Sequence, residues 1–305
     1  MKRFVKYTVF FAVMMLATLL AAELAMRHIP DIYTYKDGWM RRHHGEVETL
    51  VLGNSTTLEG VDPSLLPGRA FNLAISAQTL EQDAYLLEHY TPYPVLKTVV
   101  LPIAENIISP QLEDIPSFRM RAAYYCIHMG CDKHGVFSRY NYEIANLNVC
   151  REKVKAYRDL RRRGLSVACD SLGFAPEMLA DKQAGWARRG FATFTNKLNQ
   201  DSAINVNERY LARIVRFCQT NDVQLVLVTP PQWLDEMPPR DELYRKIDAV
   251  GNRLARQPGV TYRNYLRDPR FVAGDFFDAA HLNDAGARKF TRIIVSELID
   301  RPLKP

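Results

Sequence analysis

Two short segments carry side chains suited to nucleophilic attack on an acyl group. Ser55 lies in the run Gly53-Asn54-Ser55-Thr56-Thr57, and Asp278 stands three residues before His281 near the end of the 305-residue chain. A serine hydroxyl needs a base to take its proton, and that base needs an acceptor that fixes its tautomer. Taken singly, the first run is also an ordinary turn, and the second could be a helix cap built on Asn283. The spacing makes Ser55, His281 and Asp278 candidates for nucleophile, base and orienting carboxylate.

The elements that must position these residues alternate along the chain. Short apolar runs typical of buried strands alternate with runs in which apolar residues recur at helical spacing. The strands are predicted at 48–52, 71–75, 98–103, 223–229 and 260–266, and the helices at 79–90, 205–219, 241–256 and 284–299. This order predicts an α/β fold, a three-layer α/β/α sandwich of the flavodoxin-like class with a parallel sheet of about five strands. Ser55 would then lie at the carboxyl edge of the sheet, where ligands bind in such folds.

The middle of the chain does not follow this rhythm. The segment at about 109–200 holds four cysteines and a basic helix, and it is predicted to be an insertion over one edge of the sheet. Insertions of this kind often carry substrate recognition. The expected organisation is a membrane anchor at 1–26, a linker at 27–46, and an α/β domain at 47–305 that contains the insertion.

The amino-terminal segment is apolar enough to enter a membrane. No charge interrupts the run from Tyr7 to Ala22, and only Glu23 interrupts it before Met26. About 20 residues suffice to cross a bilayer as a helix, and the basic residues before the run favour a cytoplasmic amino terminus. A cleaved signal peptide is the alternative, although no small-x-small pattern follows the run. We expect a single-pass inner-membrane protein whose main domain faces the periplasm or the exterior.

The net charge of +6 and a pI of about 9 raise the question of an anionic partner. Export argues against nucleic acid, and the basic segment 151–163 has no aromatic residue beyond Tyr157 to form a base-stacking platform. No nucleic-acid partner is predicted. The basic segment is either a solvated helix face or a contact for an anionic glycan or lipid headgroup.

Five cysteines in an exported chain suggest disulfide bonds. Two bridges are expected among the four cysteines of the middle segment, with no bridge as the alternative, while Cys218 is expected to be free and buried in a helix. The four are Cys126, Cys131, Cys150 and Cys169. The chain has no Cys-x-x-Cys or paired-His ligand spacing, so neither a metal nor another cofactor is predicted.

Four blocks in order resemble the SGNH hydrolase, or GDSL-like esterase, family. Gly53-Asn54-Ser55 resembles its Gly-Asp-Ser block, and 72–79 and 99–106 resemble its second and third blocks. Asp278 and His281 match its last block, Asp-x-x-His. The resemblance covers the predicted sheet and its carboxyl edge, and it leaves the insertion unexplained.

The resemblance implies a set of donors for the oxyanion of an acyl-transfer intermediate. These are the backbone N–H groups of Ser55 and Ala77 and the side chain of Asn106. The chain departs from the family pattern at several positions. Asn54 replaces the usual Asp, and Ala77 stands where glycine is usual. In the third block, Ala104 and Glu105 replace the expected glycine-rich pair, and Ile107 replaces Asp. Ala77 keeps the N–H, but at a cost if the position needs a positive φ.

The resemblance implies an acyl-enzyme at Ser55. Water as acceptor would make the protein an esterase, and a sugar hydroxyl would make it an O-acyltransferase. We expect an acylated or acyl-accepting glycan of the cell envelope or an exported polysaccharide as substrate, and a membrane-bound acyltransferase or polysaccharide synthase as partner. Asn54, Glu105, Gln232 and Trp233 are the candidates for substrate binding. The alternative is an inactive accessory protein of the same fold that binds a glycan.

Overall fold

The computed structural model describes residues 1–115, 118–131, 135, 138–175, 200–234 and 241–299. Part of the predicted insertion, 176–199, lies outside these residues. The chain divides into two compact units. Residues 1–37 and 116–168 form what we call the helical unit, and residues 38–115 and 169–305 form the sheet unit. The domain boundaries expected from the sequence stay predictions.

The sheet unit is built on five parallel strands. They are β1 (Thr49–Val51), β2 (Ala70–Asn72), β3 (Thr98–Pro102), β4 (Gln224–Thr229) and β5 (Val260–Asn264), in the order β2-β1-β3-β4-β5. The predicted α/β fold and its parallel sheet are therefore confirmed. β1 and β3 are buried along their whole length, as expected for parallel strands covered by helices.

The helices predicted at 79–90, 205–219 and 241–256 are present, with bounds shifted by a few residues. In chain order the α-helices are α1 (Lys2–Arg27), α2 (Ile32–His43), α3 (Ser55–Leu58), α4 (Leu80–His89), α5 (Arg119–Met129), α6 (Leu147–Arg162), α7 (Gln200–Thr220), α8 (Asp241–Leu254) and α9 (Asp284–Ile294). The last predicted helix, 284–299, is α9 followed by a π-helical turn at Val295–Ile299. Gly286 lets α9 pack closely, because a Cβ there would lie 2.0 Å from the carbonyl oxygen of Asp275.

In the helical unit, the end of α1 is bound to the segment before α6. The Glu23 side chain is buried and accepts the backbone N–H groups of Glu143 and Ile144 at 3.1 Å each. Arg27 donates to the carbonyl oxygen of Asn141 at 2.6 Å and to Glu23 at 2.6 Å. α1 is long and apolar enough to cross a membrane, with mean hydropathy 2.2 over its most apolar window. The end of α1, with Glu23 and Arg27, is at the same time bonded into the helical unit.

The cysteine expectation needs a correction. All five cysteines are free thiols, so the two disulfide bonds expected in the middle segment are absent. Cys126 instead donates its thiol to the carbonyl oxygen of Cys131 at 3.1 Å, and Cys150 donates to that of Glu143 at 3.2 Å. Cys218 is buried and free, as predicted, and burial raises the pKa of its thiol to about 12. It is therefore an apolar packing residue at neutral pH.

Candidate active site

The turn that carries Ser55 has a backbone that only glycine fits. Gly53 follows β1 with φ at +114°, and a Cβ at this position would lie 2.4 Å from the Pro102 ring. The next residue, Asn54, caps α3: its side chain accepts the N–H of Thr56 at 3.0 Å and the hydroxyl of Thr56 at 2.8 Å. Ser55 is therefore the first residue of α3, where a backbone N–H has no partner inside the helix.

Ser55, His281 and Asp278 lie in one hydrogen-bonded row. Ser55 Oγ is 2.9 Å from His281 Nε2, across 226 residues of sequence. His281 Nδ1 is 2.9 Å from Asp278 Oδ1. The side chains of His281 and Asp278 are 24% and 15% exposed, so solvent reaches the row only in part. The structure thus brings the three residues singled out by spacing into the order hydroxyl, imidazole, carboxylate.

The Asp278 carboxylate is held in its charged form. Burial raises its pKa, but the hydrogen bond and charge of His281 and the N–H groups of Ala280 and His281 outweigh burial. The net result is a pKa below the ordinary value of 3.8. Both backbone N–H groups donate to Oδ1 at 2.9 Å. A charged Asp278 favours the imidazole tautomer with hydrogen on Nδ1, which leaves Nε2 free to accept the Ser55 proton.

Ala77 has a positive φ, the backbone conformation in which an alanine is less favourable than the glycine usual at this position. It is the third residue of a turn closed by the Gln78 N–H and the Ile75 carbonyl oxygen at 2.9 Å, and its φ is +63°. Turns with a positive φ at this position favour glycine, since an L-residue there costs about 1–2 kcal/mol. The turn hydrogen bond does not use the Ala77 N–H. The chain therefore keeps a donor at this position in a strained backbone.

Asn106 follows β3 and is fixed by its own loop. Its Oδ1 accepts the Ala104 N–H at 2.8 Å, and its Nδ2 donates to the Pro102 carbonyl oxygen at 2.9 Å. The residue is 2% exposed. One N–H of the amide is thus engaged, and the second is the one that could meet an oxyanion. Glu105, beside it, is half-buried.

Two of the candidates for substrate binding, Gln232 and Trp233, follow β4 and differ from each other in their contacts. Gln232 is buried, and its Oε1 accepts the Tyr244 hydroxyl at 3.3 Å. The backbone N–H of Trp233 donates to the Ala279 carbonyl oxygen at 2.8 Å, and the Trp233 and Phe276 ring centroids are 5.8 Å apart. Trp233 is therefore bonded to the loop that carries Asp278 and His281.

Sequence reasoning missed Asp83, which is hydrogen-bonded both to the turn that carries Ser55 and to the turn that contains Ala77. Asp83 is fully buried on α4, and its Oδ1 accepts both the Gly53 N–H at 2.8 Å and the Gln78 side-chain amide at 2.6 Å. The Gly53 carbonyl oxygen in turn accepts the Ile75 N–H at 3.2 Å. Burial raises the pKa of Asp83 to about 7, against the effect of these two hydrogen bonds. A signal was present, since Asp83 stands among the apolar residues Leu80 and Leu87 of α4.

Asn207 was missed in the same way. It is fully buried on α7, and its Nδ2 contacts the carbonyl oxygens of Asn106 at 3.3 Å, Ile107 at 2.8 Å and Ser109 at 2.9 Å. These contacts hold the loop after β3. An asparagine in line with the apolar residue Leu211 on α7 was the available sign of a buried polar contact.

The helical unit contains a separate cluster with metal-ligand side chains. Ligand atoms of Asp31, His128 and Glu143 lie within 4.8 Å of one another. The Lys153 ammonium group is 2.9 Å from Asp31 Oδ2 and also pairs with Glu143. A buried lysine supplies positive charge between the carboxylates, and this set of residues is better explained as an ion-pair cluster than as a metal site.

Comparison with known proteins gives limited information. No family model matches the chain, and no curated protein matches it. One similar solved structure is that of a protein from Streptococcus pneumonia provisionally described as a platelet activating factor. The identity is 12% and the TM-score is 0.47, over 94% of this chain and 97% of the other. Similarity at this level says nothing about what this chain binds or does.

Replacing Ala77 with glycine is expected to stabilise the protein by roughly 0.5–1 kcal/mol, because relief of backbone strain exceeds the added entropy of the unfolded chain. Chemical denaturation of the purified full chain measures this change. Ala84→Gly, inside α4, is the matched control and should destabilise by at least about 1 kcal/mol. A loss of stability in Ala77→Gly would contradict the strain at this position.

Asp83→Asn should remove a pH dependence of stability. Because the folded pKa of Asp83 lies above its ordinary value, its contribution is fully present below about pH 4 and is lost as the pH rises through about 7. Relative to wild type, Asp83→Asn should therefore gain roughly 2–3 kcal/mol of unfolding free energy between pH 5 and pH 8. Denaturation of both proteins at the two pH values measures this difference, and equal slopes would show that Asp83 is charged throughout.

Proposed function

We propose that this protein is an acyl-ester enzyme of the SGNH type, with Ser55 as nucleophile, His281 as base and Asp278 as the carboxylate that orients the base. The observation that supports it most is the row of two 2.9 Å contacts joining Ser55 Oγ, His281 and Asp278. A serine that is hydrogen-bonded to a histidine, itself oriented by a carboxylate, is the arrangement that activates a hydroxyl for acyl transfer.

In the proposed reaction, Ser55 Oγ attacks the carbonyl carbon of an ester while its proton passes to His281 Nε2. The tetrahedral intermediate expels the alcohol, which takes this proton, and an acyl-enzyme is left on Ser55. An acceptor hydroxyl then gives its proton to Nε2 and attacks the acyl carbon, so that Ser55 regains its proton. Asp278 stabilises the imidazolium that forms in both steps.

The oxyanion would be held by donors from three strand ends. These are the N–H groups of Ser55 and Ala77 and the second N–H of the Asn106 side chain. Donors fixed before the reaction begins contribute strongly, since removing one typically costs about 10²–10³ in rate. The third donor, the Asn106 side chain, is fixed by its own hydrogen bond to the Pro102 carbonyl oxygen. The loop around it is held by the hydrogen bond from Asn207 to the Ile107 carbonyl oxygen.

The proposed substrate is an acylated or acyl-accepting glycan of the cell envelope. α1 would anchor the protein in the inner membrane, with the sheet unit on the periplasmic or exterior side. A membrane-bound acyltransferase or a polysaccharide synthase is the proposed partner. The acceptor, water or a sugar hydroxyl, decides between an esterase and an O-acyltransferase.

A fluorophosphonate probe should label the full chain in detergent at Ser55. Ser55→Ala should abolish labelling, and Asp278→Asn should slow it by roughly 10³–10⁴-fold, because the imidazole loses its orienting acceptor. Ser64→Ala is the matched control, since the Ser64 hydroxyl donates to Asp62 at 2.6 Å and has no histidine partner in the described structure. In-gel fluorescence and peptide mass spectrometry measure the result.

Labelling that survives Ser55→Ala would rule out this enzyme, and an unreactive wild type would favour the accessory glycan-binding alternative. A chromogenic acetyl ester, supplied alone and with oligosaccharide acceptors, then separates hydrolysis from transfer. Transfer is indicated where the acceptor gains the acyl group and release of free acetate falls.

The anchor proposal predicts that protein purified from membranes retains residues 1–26. Glu23 and Arg27 are bonded into the helical unit, so removal of α1 would leave two backbone N–H groups of that unit without their acceptor. Intact-mass measurement tests this expectation. A mature protein that begins near residue 27 would show α1 to be a cleaved signal peptide.

A further inference from the structure

A cavity in the helical unit has no part in the reaction proposed for Ser55. Its volume is about 340 Å³, and it lies between one face of α5 and the segment that leads into α6. The residues that line it on the α5 side are Arg119, Met120, Ala123 and Ile127. On the other side, Arg139, Tyr140, Tyr142 and Val149 contribute to the wall.

The cavity combines an apolar wall with positive charge. Met120, Ala123, Ile127 and Val149 supply the apolar surface, and two exposed arginines, Arg119 and Arg139, supply the charge. Glu143 also lines the cavity, but its side chain is buried and pairs with Lys153. The described lining is therefore cationic and apolar, which suits a molecule with a phosphate group and a hydrocarbon part.

The end of α1 fixes where this cavity lies relative to the apolar helix. Glu23 and Arg27 are bonded to Asn141, Glu143 and Ile144, within the segment that lines the cavity. The uncharged stretch of α1 ends just before Glu23. With α1 across a bilayer, this segment lies at the level of the lipid headgroups, where tyrosine side chains are enriched.

Exposed apolar side chains occur on the same segment. Leu147, next to the lining residues, is 79% exposed, and Tyr142, itself a lining residue, is 39% exposed. α6 begins here and carries exposed basic side chains along its length. They are Arg151, Lys155, Arg158, Arg161 and Arg162. Basic residues near an anionic membrane surface each contribute about 1 kcal/mol of attraction.

We propose that the cavity binds the headgroup of an anionic phospholipid. Arg119 and Arg139 would donate to the phosphate oxygens, and Ala123, Ile127 and Leu147 would contact the upper part of the acyl chains. The proposal depends on the membrane position proposed for α1 and not on the reaction at Ser55. Its failure would therefore leave Ser55 labelling unchanged, and failed labelling would leave lipid binding unchanged.

The test uses the full chain in detergent micelles, titrated with phosphatidylglycerol or phosphatidylcholine and analysed by native mass spectrometry. Phosphatidylglycerol should be retained in preference, and Arg119→Gln with Arg139→Gln should weaken its binding at least about tenfold. Arg216→Gln with Arg256→Gln is the matched control, because it removes the same charge from exposed positions of the sheet unit, and it should change binding less than about twofold. Equal loss in both double variants, or equal binding of the two lipids, would overturn the proposal.

A second variant separates loss of binding from loss of folding. Ala123→Trp fills the cavity and keeps both arginines, so it should also lose the lipid while retaining the unfolding temperature of the sheet unit and the helical circular dichroism. Wild-type binding by Ala123→Trp would place the lipid elsewhere. Glycerol 3-phosphate serves as the headgroup alone and should bind at least about tenfold more weakly than short-chain phosphatidylglycerol. Equal binding would exclude the acyl-chain contacts and overturn the lipid assignment.

Discussion

The candidate site depends on two backbone hydrogen bonds of Gly53. Its N–H donates to Asp83 and its carbonyl oxygen accepts from Ile75, so the residue before the Asn54 cap is held on both sides by the segment after β2. The conformation required is open only to glycine, because of the positive φ and the contact with Pro102. Movement of this turn would carry Ser55 away from His281, whose own position is set by a loop more than 220 residues later.

Much of this arrangement could be predicted from the sequence. Buried parallel strands are nearly continuous apolar runs, and all five appear in the structure within a few residues of their expected bounds. The strand predicted at 71–75 is observed as Ala70–Asn72, and the Asn72 side chain donates to the carbonyl oxygens of Thr57 and Val61. The pairing of Ser55 with His281 was expected because a serine nucleophile needs a base and because the two segments resemble the first and last blocks of the SGNH family.

The supporting residues could not be predicted with the same ease. Asp83 and Asn207 lie on helix faces that are otherwise apolar, and periodicity treats a polar residue there as an exception to the pattern. Their partners include backbone groups of distant loops, the Gly53 N–H for Asp83 and the Ile107 carbonyl oxygen for Asn207, and such groups carry no side-chain signal in the sequence. Glu23 is a comparable case: it interrupts an apolar helix, and its acceptor role toward Glu143 and Ile144 depends on a contact 120 residues away.

Asp278 and Asp83 show how the sheet unit sets the charge around Ser55. Both carboxyls are largely or fully buried, yet the pKa of one is lowered and the pKa of the other is raised. Asp278 accepts two backbone N–H groups and faces an imidazole that would become cationic in the proposed acyl transfer. Asp83 accepts from neutral donors through one oxygen, and its second oxygen has no partner among the described residues. The environment therefore favours a negative charge next to His281 and disfavours a second one at Asp83, beside the turn that carries Ser55, where it would oppose the oxyanion of the proposed reaction.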